Sequence, residues 1–372
     1  MAAMPQSLQR LRSAPQSIWL DFISRSHLRS GALGRMIESG AIQGLTSNPS
    51  IFSKAIAGSH DYDDALTSLA AAGVHDPYEG FVRLAAEDIG GAADAFAPIY
   101  RDTKGQDGFV SLELPPGIEN DTERSVAEAQ RLAKLVGRPN LMIKVPGTVA
   151  GVETTRRLIA AGVNVNNTLL FSVKRYEQLA EAYMTGLEER LAARLPLEGV
   201  AGVASFFVSR VDTAVDAALP EGSPLRGKAA IANALQAYRL FEEMHATTRW
   251  AALWDAGANV QRPLWASTGT KNAAYSDVLY VDTLVLPHTV NTLPLATLEA
   301  FLQHGNGETV SRAALDEAPG TLEALAGAGV DLDTVTEKLL VDGLAAFQAD
   351  FDTLLARVRE ALEARPASQR AS

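Results

Sequence analysis

The sequence predicts an α/β fold of the (β/α)8 (TIM) barrel type, with inserted helices and a long C-terminal helix. Three observations lead there. Short apolar runs alternate with helical patterning from about residue 17 to the end of the chain. Most of the runs are nearly continuous in apolar residues, as expected of parallel strands covered on both faces. Eight such runs with helices between them make the count that closes a β/α barrel.

Taken in order, residues 1–16 read as a lead-in to the first strand. The strand candidates are Ile18–Ile23, Gln43–Ser47, Phe109–Leu114, Leu141–Val145, Val163–Leu169, Gly202–Val208, Pro263–Ser267 and Thr283–Pro287. Asn120 with Glu123 has capping-box spacing, Val126, Ala129, Leu132, Ala133 and Val136 keep helical spacing, and Gly137 stands where a C-terminal glycine stops a helix. The stretches 48–108 and 209–262 are longer than one helix requires and predict helices inserted after the second and sixth strands.

Thr334 and Glu337 repeat the capping-box spacing ahead of Leu340, Leu344, Phe347, Phe351, Leu354, Val358 and Leu362. That stripe predicts an amphipathic helix over 331–364, packed on the barrel or serving as a homodimer contact. Residues 365–372 read as a disordered tail. One domain accounts for residues 1–372, although the chain exceeds the ~250 residues of a minimal barrel.

Composition excludes several classes of function. The chain has no cysteine, which removes disulfides, thiolate metal sites and a cysteine nucleophile. A formal charge of −11 argues against nucleic acid as a partner, and any anionic substrate must be held by a local basic cluster. The apolar run behind Arg10 and Arg12 breaks at Asp21, too soon for a secretory signal, and no window approaches a membrane span. A soluble cytoplasmic protein is the expectation. The six histidines (27, 60, 75, 245, 288 and 304) share no metal-ligand spacing, so no metal is expected. Neither a nucleophile elbow nor a dinucleotide-binding glycine fingerprint is present.

Barrel enzymes carry their chemistry where the strands end and the βα loops begin. Here the strand ends supply Asp21, then Thr46-Ser47-Asn48-Pro49, Glu113, Lys144, Asn166-Asn167-Thr168, Ser205 with Arg210, and Ser267 with Lys271. Lys144 lies inside Leu-Met-Ile-Lys-Val-Pro. Burying an ammonium is costly, and a lysine that sheds its proton becomes a nucleophile able to condense with a ketone or aldehyde. The alternative is a lysine that snorkels to solvent or pairs with a carboxylate. Asp21 and Glu113 suit acid–base work beside such an amine, or else simply neutralise it. Arg210 and Lys271 suit a phosphate clamp, unless Arg210 pairs with Asp212 and Lys271 is merely solvated. His288, after the last strand candidate, reads as structural.

These segments resemble the transaldolase family. Trp19-Leu20-Asp21, Gly44-Leu-Thr-Ser-Asn-Pro-Ser50, Ser111-Leu-Glu113, Ile143-Lys-Val145 and Asn164-Val-Asn-Asn-Thr-Leu-Leu-Phe-Ser172 look like its signature stretches, in its order. Ser267-Thr-Gly-Thr-Lys-Asn272 looks like the longer bacterial subgroup, and the likeness spans about Ile18 to Leu362. The resemblance implies a Schiff base between Lys144 and the C2 carbonyl of a ketose phosphate. Asp21 would take the C4 hydroxyl proton, and Glu113 with Thr168 would hold the water that mediates proton transfer. Thr46, Asn48 and Asn166 would hold the three-carbon unit, while Ser205, Phe207, Arg210, Ser267 and Lys271 would line the pocket and grip phosphate. It implies sugar-phosphate partners and no cofactor, because the protonated imine is its own electron sink. The chain departs from the family at Thr268-Gly269-Thr270-Lys271, where many members carry an arginine; lysine binds phosphate without the bidentate fork. Two other readings stay open: a simple class I aldolase that releases the three-carbon unit, and a non-enzymatic barrel that binds a phosphorylated metabolite.

Overall fold

The structure, a computed structural model, describes residues 5–57 and 59–364. Eight parallel strands close into a barrel in simple sequential order. They are β1 (Ser17–Asp21), β2 (Gly44–Thr46), β3 (Val110–Glu113), β4 (Leu141–Pro146), β5 (Val165–Leu170), β6 (Gly202–Phe207), β7 (Gln261–Ala266) and β8 (Val290–Leu293). Closure is made by β8 pairing with β1, with Trp19 opposite Thr292. The strands are buried on both faces, which explains their apolar runs. Gly44 is needed for close approach: a Cβ there would meet the Trp19 indole at 2.6 Å.

Seven strands fall on the expected runs, and the eighth does not. Leu284, Val285 and Leu286 are fully buried, yet they form a connector that bonds through Leu284 and Val285 carbonyls to Gln16 and Val310. The true β8 lies downstream at Val290–Leu293. Its Asn291 and Thr292 break the apolar run, so the more hydrophobic connector imitates a strand. Two caps also shift. Asp121, not Asn120, accepts from the Arg124 N–H at the start of helix Thr122–Val136, and Asp331 caps helix Leu332–Glu363 by accepting from Thr334. Gly137 ends its helix in the left-handed region at φ 61°, as the sequence predicted.

The insertion after β2 folds as helices Pro49–Ala57, Asp63–Ala71 and Pro77–Asp102, and that after β6 as Ser209–Ala218, Ala229–His245 and Thr248–Asp255. The C-terminal helix packs against Pro49–Ala57, Pro77–Asp102, Ser209–Ala218 and β5, elements around the C-terminal mouth of the barrel. Leu340, Phe351, Leu354, Val358 and Leu362 are buried there, each contributing about 2 kcal/mol. Phe351 packs edge-on against Tyr78 and Phe81. Residues 365–372 lie outside the described residues. Among the described residues no helix is long and apolar enough to cross a membrane.

Candidate active site

Lys144 is only 5% exposed inside the barrel. Its Nζ donates to Glu113 Oε2 and to the Ser47 carbonyl, each at 3.1 Å. Glu113, Lys144 and Asn166 stand in register on β3, β4 and β5, so the three side chains share one layer of the interior. Lys144 therefore pairs with a carboxylate and does not snorkel to solvent. Burial pushes the Glu113 carboxyl above its ordinary range, the Lys144 cation and hydrogen bond oppose that, and nearby Asp21 reinforces it.

Across the pocket, Asp21 ends β1 in register with Thr46 of β2. Thr46 Oγ1 donates to Asp21 Oδ1 at 2.8 Å. Burial raises the Asp21 pKa, while Lys144, the Thr46 hydrogen bond and Lys271 pull it down. The Lys144 amine thus lies within the field of two carboxylates, both of which favour protonation more than solvent carboxylates do. Asn48 accepts from the Ile51 N–H and caps helix Pro49–Ala57, which fixes its amide at the rim of the site.

Asn166 donates to Ser111 Oγ at 3.0 Å and accepts from Ser205 Oγ at 2.7 Å, a brace joining β3, β5 and β6. Glu113 Oε1 and Thr168 Oγ1 are buried without a hydrogen-bond partner among the described residues. Buried polar atoms are rarely left so, and the two belong to strands flanking Lys144. Directly after Thr168, Leu169 adopts φ 56° and the β5–β6 register shifts. A bulky residue in the left-handed region is strained, and such bulges occur beside active sites. Gly343 of the C-terminal helix abuts this bulge: a Cβ there would lie 3.1 Å from the Leu169 side chain and 3.7 Å from Arg210 Nη1.

The basic groups converge on the same mouth. Arg210 stacks its guanidinium over Phe207 at 5.2 Å and is largely buried, and burial lowers its pKa against the pull of Asp350. Asp212 does not neutralise it, because that carboxylate is bound by the Ala230 N–H and the Tyr280 hydroxyl. Among the described residues Arg210 has no hydrogen-bonded partner. Ser267, at φ 55° just past β7, shares a 3.0 Å hydroxyl contact with Ser209. Lys271 is exposed, yet its amine returns toward Gly269 and its charge reaches Asp21. The twelve residues to which the resemblance assigns roles therefore gather at this end of the barrel. Sequence reasoning named Ser47 and Ser111 within their segments but gave them no role, and it missed Thr292. The place of Ser111 was findable, since it lies two residues before Glu113 and so on the same strand face.

A large cavity lies elsewhere. About 970 Å3 opens at the N-terminal mouth, lined among others by Gln16, Met142, His245, Trp250, Arg262 and His288. His288 therefore precedes β8 and lies at the far end, at φ 57°, not beyond the last strand. Among the described residues no cluster of three or more histidines and carboxylates is arranged to hold a metal ion.

Comparison with known proteins gives a consistent picture. The family description Transaldolase/Fructose-6-phosphate aldolase matches residues 18–358. A transaldolase of Saccharopolyspora erythraea is 48% identical over 362 residues, covering 96% of this chain and 98% of the relative. One from Thermobifida fusca is 48% identical over 368 residues, covering 97% and 100%. One from Acidothermus cellulolyticus is 47% identical over 366 residues, covering 97% and 98%.

Proposed function

The chain belongs to the transaldolase/fructose-6-phosphate aldolase family and is a transferase of the transaldolase type, and we propose that Lys144 is the amine that carries its reaction. One observation supports the assignment above others: a buried lysine held by Glu113, with Asp21 across the same pocket.

In this reading the Lys144 amine adds to the C2 carbonyl of a ketose phosphate such as fructose 6-phosphate or sedoheptulose 7-phosphate. Water leaves and a protonated imine forms. We assign Glu113 and Thr168 to the water that shuttles these protons, because their free buried oxygens need a partner of that kind. Asp21 then removes the proton of the C4 hydroxyl. The C3–C4 bond breaks, its electrons pass into the imine as an enamine, and an aldose phosphate departs. Addition of the enamine to glyceraldehyde 3-phosphate or erythrose 4-phosphate, with Asp21 returning the proton, and hydrolysis of the new imine complete the transfer. Thr46, Asn48 and Asn166, braced by Ser205, hold the three-carbon unit.

Arg210 is the principal phosphate ligand. A largely buried guanidinium with no hydrogen-bonded partner among the described residues, stacked on Phe207, favours a bidentate contact with two phosphate oxygens. Lys271 adds a point charge, and Ser267 a hydroxyl. The reaction belongs to the non-oxidative pentose phosphate route in the cytoplasm.

Borohydride reduction with fructose 6-phosphate, followed by peptide mass mapping, tests the assignment. The adduct is expected on Lys144 and is lost in Lys144→Arg; an adduct on another lysine sinks it. Turnover that proceeds without erythrose 4-phosphate identifies a lyase instead of a transferase.

A further inference from the structure

We infer that Thr292 of β8 is a positioning residue for proton transfer at Asp21, acting through the Thr46 hydroxyl. This rests on the acid–base role proposed above for Asp21. Thr46 Oγ1 lies 2.8 Å from Asp21 Oδ1 and 2.7 Å from Thr292 Oγ1. A hydroxyl has one proton to donate, and an ionised carboxylate only accepts. The Thr46 proton therefore goes to Asp21, and Thr292 must donate to Thr46. The result is a directed chain from Thr292 to Thr46 to Asp21. It draws on β8, β2 and β1.

Both hydroxyls sit where water does not compete, with Thr46 at 2% and Thr292 at 4% exposure. The Thr292 carbonyl accepts from Thr268 Oγ1 at 3.1 Å, which ties this point of β8 to the loop after β7. A hydroxyl that accepts a hydrogen bond donates a stronger one. Such a chain ends on an anion more favourably than on a neutral acid, so it supports the base form of Asp21 against burial. The charged groups facing Asp21 are Lys144 from β4, Lys271 from the loop after β7 and Glu113 from β3. Thr292→Val changes none of them and nearly preserves shape.

The test is the pH profile of kcat/KM for Thr292→Val, Thr292→Ser, Thr46→Val and the double valine variant. In Thr292→Val the acid limb is expected to rise by about half a pH unit and plateau kcat to fall about threefold. KM for fructose 6-phosphate stays unchanged. Thr292→Ser restores the limb, and the double variant is no worse than Thr46→Val, because Thr292 acts only through Thr46. An unmoved limb, failure of serine to restore it, or multiplicative losses in the double variant overturns the inference. Borohydride trapping on Lys144 and thermal melting establish that each variant keeps its pocket. If Thr292→Val does not fold, Thr292→Cys, similar in size with a weak donor, is expected to shift the limb in the same direction. Asp21→Asn separates the two claims: cleavage unaffected by that change removes the acid–base reading of Asp21 itself, whatever Thr292 does.

Discussion

The two mouths of the barrel hold similar residue types and use them in opposite ways. At the N-terminal mouth, Asp107 accepts from Ser17 Oγ at 2.5 Å and Trp19 Nε1 at 2.9 Å and lies 3.2 Å from Arg262. Arg262 in turn donates to Ser17, Gln106 and Thr289. These two charges are answered by the protein, although the amide oxygens of Gln16 and Gln261 at this end are buried without a hydrogen-bond partner among the described residues. At the C-terminal mouth, Arg210 has no hydrogen-bonded partner among the described residues, and Glu113 and Thr168 each keep a buried oxygen unanswered. The cavity of about 970 Å3 belongs to the end where Asp107 and Arg262 are paired. Volume is therefore a poor guide to chemistry in this molecule, and ionisable groups with unmet hydrogen-bonding capacity, Glu113 and Arg210, are a better one.

Substitutions can break or sharpen that contrast. The largest effect is expected from Lys144→Met, which should lower kcat about a thousandfold or more and abolish borohydride trapping. Circular dichroism should show the fold retained, since Glu113 can take up a proton once its partner is gone. Next, Asp107→Ala should cost about 3 kcal/mol in a urea melt by stranding Arg262 and Trp19. Its kcat should stay within about twofold of the parent. Loss of kcat in folded Asp107→Ala would join the two ends that the contrast separates.

A smaller effect is expected at the phosphate corner. Arg210→Ala should raise KM for fructose 6-phosphate about thirtyfold, or about 2 kcal/mol, and leave unphosphorylated donors nearly unchanged. An equal rise for both removes Arg210 from the clamp. The smallest is at Lys271. Its cation lowers the Asp21 pKa, which burial has already raised, so Lys271→Met should move the acid limb of kcat/KM upward by about half a pH unit. A limb that moves downward or not at all contradicts that placement of the charge.

The sequence announced most of this barrel because burial on both faces leaves long apolar runs, as in Leu141–Val145 and Gly202–Val208. It misled at the last strand for the same reason in reverse. Leu284–Leu286 is more hydrophobic than Val290–Leu293, because the true strand turns Thr292 toward Thr46 in the barrel interior. The cap residues erred by one to three positions, since Asn120 and Asp121, or Asp331 and Thr334, all have side chains able to cap, and backbone geometry chooses between them. At the site, charged residues ending strands were readable from Asp21 to Lys271. The Ser47 carbonyl that receives the Lys144 amine was not, because a main-chain acceptor leaves no mark in residue type. The bulge at Leu169 was equally silent, for nothing in Asn-Thr-Leu-Leu advertises a positive φ.

Closure of β8 onto β1 also bears on biosynthesis. The first strand to leave the ribosome must wait for the last, since Trp19 finds Thr292 only after some 270 further residues have been made. The hydroxyl pair between Thr46 and Thr292 spans nearly the same interval. At roughly 5–20 residues per second, Asp21 and Lys144 coexist in a nascent chain for several seconds before that pair can form. A polypeptide halted before β8 would carry Lys144 without the closed barrel that brings Thr292 to Thr46. On the proposed mechanism catalytic competence is thus acquired late in translation, and a product truncated before β8 is expected to be inactive even though Asp21, Glu113 and Lys144 are present.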